Sequence, residues 1–226
     1  MNVAIVVAGG KGLRFGGDRP KQFFDLNGIP IIVHTLRRFE QSKEIEKVIV
    51  VLPANELSTF QSLTERFELS KILRAVAGGE TRAQSVQNGI RAIEEADVVA
   101  VHDGVRPLVT AEEIDRVVAV AAENGAAILV APVGDTIKEI KAERVAATLS
   151  RAGLCRALTP QCFRFDILKS AYTQLAQLEA SSIEVTDDSM LVERLGLEVV
   201  AIPGSVRNIK ITMQEDLVVA AAFLSP

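Results

Sequence analysis

An open, doubly wound α/β sandwich around a mostly parallel sheet is the fold this sequence predicts. Three observations carry that prediction. Apolar runs of strand length alternate with segments of helical period along the chain. Several of those runs are continuously apolar, as parallel strands covered on both faces are. The first of them opens straight into a glycine-rich loop. Strands are predicted at 2–8, Glu46–Leu52, Ile72–Ala77, Asp97–His102, Ala126–Ala131 and Leu197–Ile202. Helices are predicted at Ile31–Glu40, Asn55–Phe67, Arg82–Glu94, Ala111–Asn124, Phe165–Leu178 and Asp188–Leu195. Thr81 and Thr110 stand where N-caps stand, and Asn124-Gly125 reads as a helix C-terminus. Ligands of such sheets bind in the crevice at the strands' carboxyl ends.

The first strand leads into Ala8-Gly9-Gly10-Lys11-Gly12-Leu13-Arg14-Phe15-Gly16-Gly17, then Pro20-Lys21-Gln22. Bare backbone N–H groups at a sheet's carboxyl end suit an anion, usually phosphate. Lys11, Arg14 and Lys21 add three cations, more than a bound dinucleotide needs and suited to neutralising a triphosphate during phosphoryl chemistry. A dinucleotide-binding fingerprint fails because Phe15 stands where the third glycine belongs, which leaves a dehydrogenase weakly supported. A Walker-type loop fails for want of Gly-Lys-Ser/Thr.

The 226 residues suit one domain, residues 1–226, with a substantial core. Lys and Arg total 25 against 29 Asp and Glu, a net charge of −4. That balance, with no dense basic run, argues against a nucleic-acid partner and makes the local cation clusters ligand sites. Cys155 and Cys162 show no metal-ligand pattern and read as ordinary thiols in a reducing compartment. With no signal-peptide layout and no apolar stretch long enough to span a membrane, a cytoplasmic protein is expected.

Chemistry-bearing residues recur after each strand. Gly78-Gly79-Glu80-Thr81-Arg82 with Ser85 reads as a close approach to a base or ribose, or as a tight turn with an N-cap. His102-Asp103-Gly104-Val105-Arg106-Pro107 places an acid and an arginine at a strand mouth. Asp103 suits a divalent ion or a substrate hydroxyl, and Arg106 a phosphate; His102 and His34 read as core histidines. Thr186-Asp187-Asp188 reads as an N-cap cluster or a ligand contact. Lys210 falls in a short alternating strand, directed into the crevice or to solvent. Residues 133–161 break the alternation: Ile137–Lys141 and Val145–Leu149 are expected to form a hairpin arm, too small to be stable alone, that should pack on something, a second subunit being one candidate.

The ordered set of motifs resembles the 2-C-methyl-D-erythritol 4-phosphate cytidylyltransferases, a Rossmann-like nucleotidyltransferase family similar to the sugar-nucleotide pyrophosphorylases. The resemblance rests on Ala8–Arg14, Pro20–Gln22, Gly78–Arg82, His102–Pro107, Ala131–Thr136, Leu158–Gln161, Thr186–Asp188 and Asn208–Lys210. It implies CTP and a small polyol phosphate as substrates, with Mg²⁺ or another divalent cation as cofactor. It gives Arg14, Lys21, Arg151 and Lys210 catalytic roles. It places Ala8, Gly9, Gly10, Lys11, Gly12, Gly79, Glu80, Arg82, Ser85 and Gly104 at the nucleotide. Asp103, Arg106, Thr136, Arg151, Thr159, Thr186 and Lys210 would hold the polyol phosphate, with Asp103 also the candidate metal ligand. Arg151 resembles a residue that reaches a neighbouring subunit's site, which implies a homodimer with 133–161 as its arm. Gly9 and Gly104 stand where alanine is common, so exchange is expected to be harmless there. The D-ribitol-5-phosphate cytidylyltransferases share Gly9–Gly12 and Gly104–Arg106 and remain an alternative, as does a non-catalytic nucleotide-binding module.

Overall fold

The structure, a computed structural model, describes residues 1–10, 15 and 19–224. In chain order the elements are β1 (Val3–Val7), β2 (Asp25–Leu26), β3 (Ile29–Pro30), α1 (Ile31–Gln41), β4 (Lys47–Leu52), α2 (Leu57–Arg66), β5 (Ile72–Ala77), α3 (Arg82–Arg91), β6 (Val98–Asp103) and α4 (Ala111–Asn124). There follow β7 (Ala126–Pro132), β8 (Ile137–Lys141), β9 (Arg144–Leu149), β10 (Cys155–Arg164), α5 (Phe165–Ala171), α6 (Leu175–Ala180), α7 (Asp188–Glu193), β11 (Val200–Pro203) and α8 (Gln214–Leu224).

The central sheet has seven strands in the order β11-β7-β10-β6-β1-β4-β5. All its pairings are parallel except those of β10, which runs antiparallel to both β6 and β7. The first strand shows how sequence builds the layers. Its side chains alternate between faces: Ala4 and Val6 enter a core that includes Phe39, Phe60 and Ile114, on the α1, α2 and α4 side. Val3 and Ile5 enter a second core with Val86, Leu168 and Leu191, on the side of α3 and α5–α7. Burial on both faces is why β1, β4 and β6 are continuously apolar. The chain leaves β1 towards β4 and β5, then returns to β6 on the other side. The strand order therefore reverses between β1 and β6, and a crevice opens beyond their carboxyl ends.

The predicted caps form. Thr110 accepts from the Glu113 N–H while Glu113 accepts from the Thr110 N–H, a full capping box. Thr81 caps α3 through the Gln84 N–H. Gly125 ends α4 at φ +92°.

Four expectations change. The arm expected over 133–161 is shorter, because only β8 and β9 project and 155–161 lies inside the central sheet as part of β10. Pro160 hides that strand in the sequence, since proline breaks a ladder. The ladder of β10 is in fact irregular between Ala157 and Gln161, where the missing N–H costs no pairing. The helix expected over 165–178 is divided into α5, a 3₁₀ turn at Tyr172–Gln174, and α6. Lys210 lies in no strand; the segment crosses the crevice as irregular chain, tied by Ile211 N–H to Val105 C=O at 2.9 Å. Helix α8 was not expected, because its sequence is apolar nearly all round and shows no one-sided period.

Candidate active site

Two cavities adjoin at the crevice. The larger, of about 810 Å³, is lined by the ends of β1 and β5, the start of α3, and Lys21, Asp103 and Lys210. The smaller, of about 230 Å³, is lined by β10, Arg106, Thr186 and Asp187. Arg82, Asp103 and Lys210 line both.

Of the residues the sequence singled out, Ala8, Gly9, Gly10, Lys21, Gly79, Glu80, Arg82, Ser85, Asp103 and Lys210 meet at the larger cavity. Arg106, Thr159 and Thr186 join Arg82, Asp103 and Lys210 at the smaller one. Lys11, Gly12 and Arg14 lie outside the described residues. Gly104, Thr136 and Arg151 line neither cavity. Thr136 immediately precedes the β8–β9 hairpin, and Arg151, exposed just beyond it, donates to the Gly134 carbonyl.

The wall opposite β1 is backbone held in place by side chains. Ser85 Oγ accepts from the Gly79 N–H at 3.1 Å and donates to the Thr81 carbonyl at 2.9 Å. Its hydroxyl thus shapes the loop rather than standing ready for a ribose. A Cβ on Gly79 would lie 2.5 Å from Gln84 Cβ, so the loop closes onto α3 only with glycine there. At Gly104 an added Cβ would come within 2.9 Å of Ala8 Cβ and 3.3 Å of the Val7 carbonyl. Alanine is therefore not harmless at 104 in this chain: β1 or β6 has to shift at the crevice. The Gly104 carbonyl itself accepts from Thr35 Oγ1 at 3.0 Å.

Asp103 is the electrostatic centre. Its Oδ1 accepts from Arg82 Nε at 3.1 Å; its Oδ2 meets Arg106 Nε at 3.0 Å and Lys210 Nζ at 3.1 Å. Burial alone would raise the pKa of this carboxyl, but Arg82, Lys210 and Arg106 outweigh it and hold the group well below the usual carboxylate range. A buried carboxylate already neutralised by three cations, within about 3 Å of each, is a poor ligand for a further cation. Among the described residues no group of three His, Cys, Asp or Glu side chains gathers to hold one. Asp103 does not fit as a metal ligand; it organises cations.

Behind it lies a feature that sequence alone left as a core histidine. His102 is fully buried. Thr159 Oγ1 accepts from the Asp103 N–H at 3.1 Å and lies 2.9 Å from His102 Nδ1; because Nε2 faces a carbonyl, which can only accept, Nδ1 of the neutral ring is the acceptor of the Thr159 hydroxyl proton. Nε2–H is then left to donate to the Arg106 carbonyl at 3.2 Å. These bonds fit a neutral imidazole, and burial keeps the ring neutral by pushing the His102 pKa from 6.5 down to about 4. An unfolded chain takes up that proton at higher pH than the folded one, so stability is complete above pH 6.5 and is lost as pH falls towards 4. At about 1.4 kcal/mol per pH unit the loss totals roughly 3 kcal/mol. Urea unfolding from pH 7 to 4 is expected to show this slope in the native chain and a flatter one in His102→Asn. Equal slopes would remove His102 as the cause; His34, whose pKa burial also lowers, is present in both.

Sequence reasoning did not assign Gln161 or Asp188. Gln161 Oε1 accepts from the Asp188 and Ser189 N–H groups at 2.9 and 3.1 Å, and its Nε2 donates to Asp187 at 2.8 Å. Asp187 caps α7, as the N-cap reading expected. The signal was present in Thr159-Pro160-Gln161 and Thr186-Asp187-Asp188, but no spacing rule connects two motifs 25 residues apart.

The whole chain is similar to proteins of one kind. The family model for 2-C-methyl-D-erythritol 4-phosphate cytidylyltransferase matches residues 2–226. Proteins so named from Syntrophus aciditrophicus and Geobacter metallireducens are each 43% identical, over 98% of this chain and 95% and 96% of their own lengths. The crystal structure of 4-diphosphocytidyl-2C-methyl-D-erythritol synthase from Anaerococcus prevotii superposes with a TM-score of 0.85 at 31% identity, covering 99% of this chain and 97% of that one.

Proposed function

The chain belongs to the 2-C-methyl-D-erythritol 4-phosphate cytidylyltransferase family, and from that premise we propose how its residues divide the work. The enzyme transfers a cytidylyl group from CTP to 2-C-methyl-D-erythritol 4-phosphate in non-mevalonate isoprenoid biosynthesis. A phosphate oxygen of the alcohol phosphate bonds to the α-phosphorus, the α–β bridging bond breaks, and pyrophosphate leaves with its electron pair. The attacking phosphate is already ionised, so no general base is required. Catalysis is positioning and charge neutralisation.

The observation that carries this reading is the pair of adjoining cavities with Arg82, Asp103 and Lys210 in their common wall. The nucleotide occupies the larger, against the backbone of Ala8–Gly10 and Gly78–Gly79. The polyol phosphate occupies the smaller, held by Arg106 and Thr186; Thr159 lines that cavity, but its hydroxyl proton is committed to His102, so it shapes the wall rather than binding the phosphate. Lys210 stands at the junction where the bond forms. Lys21 belongs to the nucleotide side, and Arg14 joins it as the second cation on the α-phosphate. A divalent cation, expected to be Mg²⁺, would supply further neutralisation of the triphosphate charge when bound with the nucleotide; Asp103, already committed to three cations, would not hold it.

Thr136 and Arg151 complete the site in a second subunit. The arm supports this assignment: Ile140, Val145 and Leu149 are large apolar side chains left exposed on an isolated two-stranded hairpin. A homodimer would cover them and bring each Arg151 to its neighbour's polyol phosphate.

Pyrophosphate release tests both parts. CTP with methylerythritol 4-phosphate is expected to react, and D-ribitol 5-phosphate or ATP in its place is not; equal rates with ribitol phosphate would overturn the substrate assignment. Arg151→Ala is expected to lower kcat/KM for the alcohol phosphate roughly 10- to 100-fold, the scale of one lost charge-assisted contact. Mixed with Lys21→Ala subunits it is expected to regain activity, because a mixed dimer holds one intact site. No recovery, with heterodimers verified by mass, would place Arg151 outside the partner's site.

A further inference from the structure

Deep in the wall shared by the two cavities, Arg82 is gripped from two sides. Its Nε donates to Asp103 Oδ1 at 3.1 Å and its Nη2 to Asp188 Oδ2 at 2.8 Å. Asp188 is completely buried, and its other oxygen accepts from the Tyr172 hydroxyl at 2.5 Å. Its position is fixed by backbone: Gln161 of β10 holds the Asp188 N–H, and Asp187 caps the helix that Asp188 begins. A lone buried carboxylate is costly, and a lone buried guanidinium equally so. This pair is retained beside a cavity where Arg82 Nη1 donates to no described residue.

Two carboxylates on one fork fix the plane of the guanidinium as well as its charge. Burial works against the charged form of Arg82, yet Asp188 and Asp103 raise its pKa well above the ordinary value. Burial and Asp188 together push the Tyr172 pKa well up, so its hydroxyl stays a donor.

We propose that Asp188 is a positioning residue of the transfer reaction: it holds Arg82 flat across the boundary of the two cavities, leaving Nη1 to bind the incoming polyol phosphate. The inference rests on the reaction assigned above. Tyr172 holds the far side of the Asp188 carboxylate and has a supporting role only.

Steady-state assays with CTP and methylerythritol 4-phosphate on Asp188→Asn, Arg82→Gln, the double variant and Tyr172→Phe test it. Asp188→Asn keeps the size of the side chain and loses its charge. Its KM for the polyol phosphate is expected to rise about tenfold and kcat to fall about tenfold, with the KM for CTP within threefold. The double variant is expected to be no worse than Arg82→Gln alone, because Asp188 acts through Arg82. Tyr172→Phe, which removes the hydroxyl that holds Asp188, is expected to change the same parameters in the same direction as Asp188→Asn and by less. A purely structural role would lower the active fraction, and so kcat, without moving KM. Additive losses in the double variant, or a fall in kcat with both KM values unchanged, overturn the proposal. Should Asp188→Asn fail to fold, Arg82→Gln decides: a polyol-phosphate KM within threefold of wild type overturns it. An inactive wild type would remove the assigned reaction and this inference with it, whereas an active wild type with additive variants removes the inference alone.

Discussion

Lys21→Ala is expected to lower turnover roughly 10²- to 10³-fold, the usual scale for one group aimed at transition-state charge, with CTP affinity changed much less. Lys21 lines the nucleotide cavity half-buried, and its Nζ donates to the Ile211 carbonyl at 3.0 Å. That bond ties the ammonium to the segment that carries Lys210, so both cations sit on one framework. A preorganised charge costs no reorganisation when the α-phosphate gains negative charge, and this is why the loss belongs in kcat. Rapid-quench or steady-state pyrophosphate assays would check it. Turnover within a few-fold of the native enzyme would remove Lys21 from the chemistry.

The largest stability change is expected from Asp103→Ala. Removing this carboxylate leaves Arg82, Arg106 and Lys210 close together with their common partner gone. Breaking a buried ion network from one side costs about 3–5 kcal/mol. The lower end applies here, because the Lys210 side chain is 38% exposed and water screens part of the repulsion. At roughly 2–4 °C per kcal/mol for a chain of this size, calorimetry should show a fall in Tm of about 6–12 °C, partly restored by salt. A fall under about 2 °C would show that the cations relax outward at little cost. The native carboxylate also sets an acid limit. Its folded pKa lies below the unfolded value near 4, so its contribution is complete above pH 4 and is lost only as pH falls below it. The His102 loss, between pH 6.5 and 4, comes first.

The layered α/β order, the strand-end location of the site and most of its residues were legible in the sequence because they rest on local rules. Two-faced burial makes β1, β4 and β6 continuously apolar. Glycines mark backbone that must approach a ligand, and Thr81 and Thr110 mark helix starts. Motif order was enough to point to the family. What depended on residues far apart in the chain was not legible. Pro160 reads locally as a strand breaker, and only the irregular pairing of β10 between β6 and β7 shows how the sheet accommodates it. Asp103 reads as a metal ligand until Arg82, Arg106 and Lys210, at sequence distances of 21, 3 and 107 residues, are seen to neutralise it. Gly104 reads as exchangeable until Ala8 is found against it. Residue type and spacing decide which chemistry is present, because propensity and periodicity act over a few residues. Which charges meet, and so which state of Asp103 and His102 is stable, is a Coulomb and desolvation question over a few ångströms of space. Only the packed sheet brings β1, β6, β10 and the 208–212 crossing within that range.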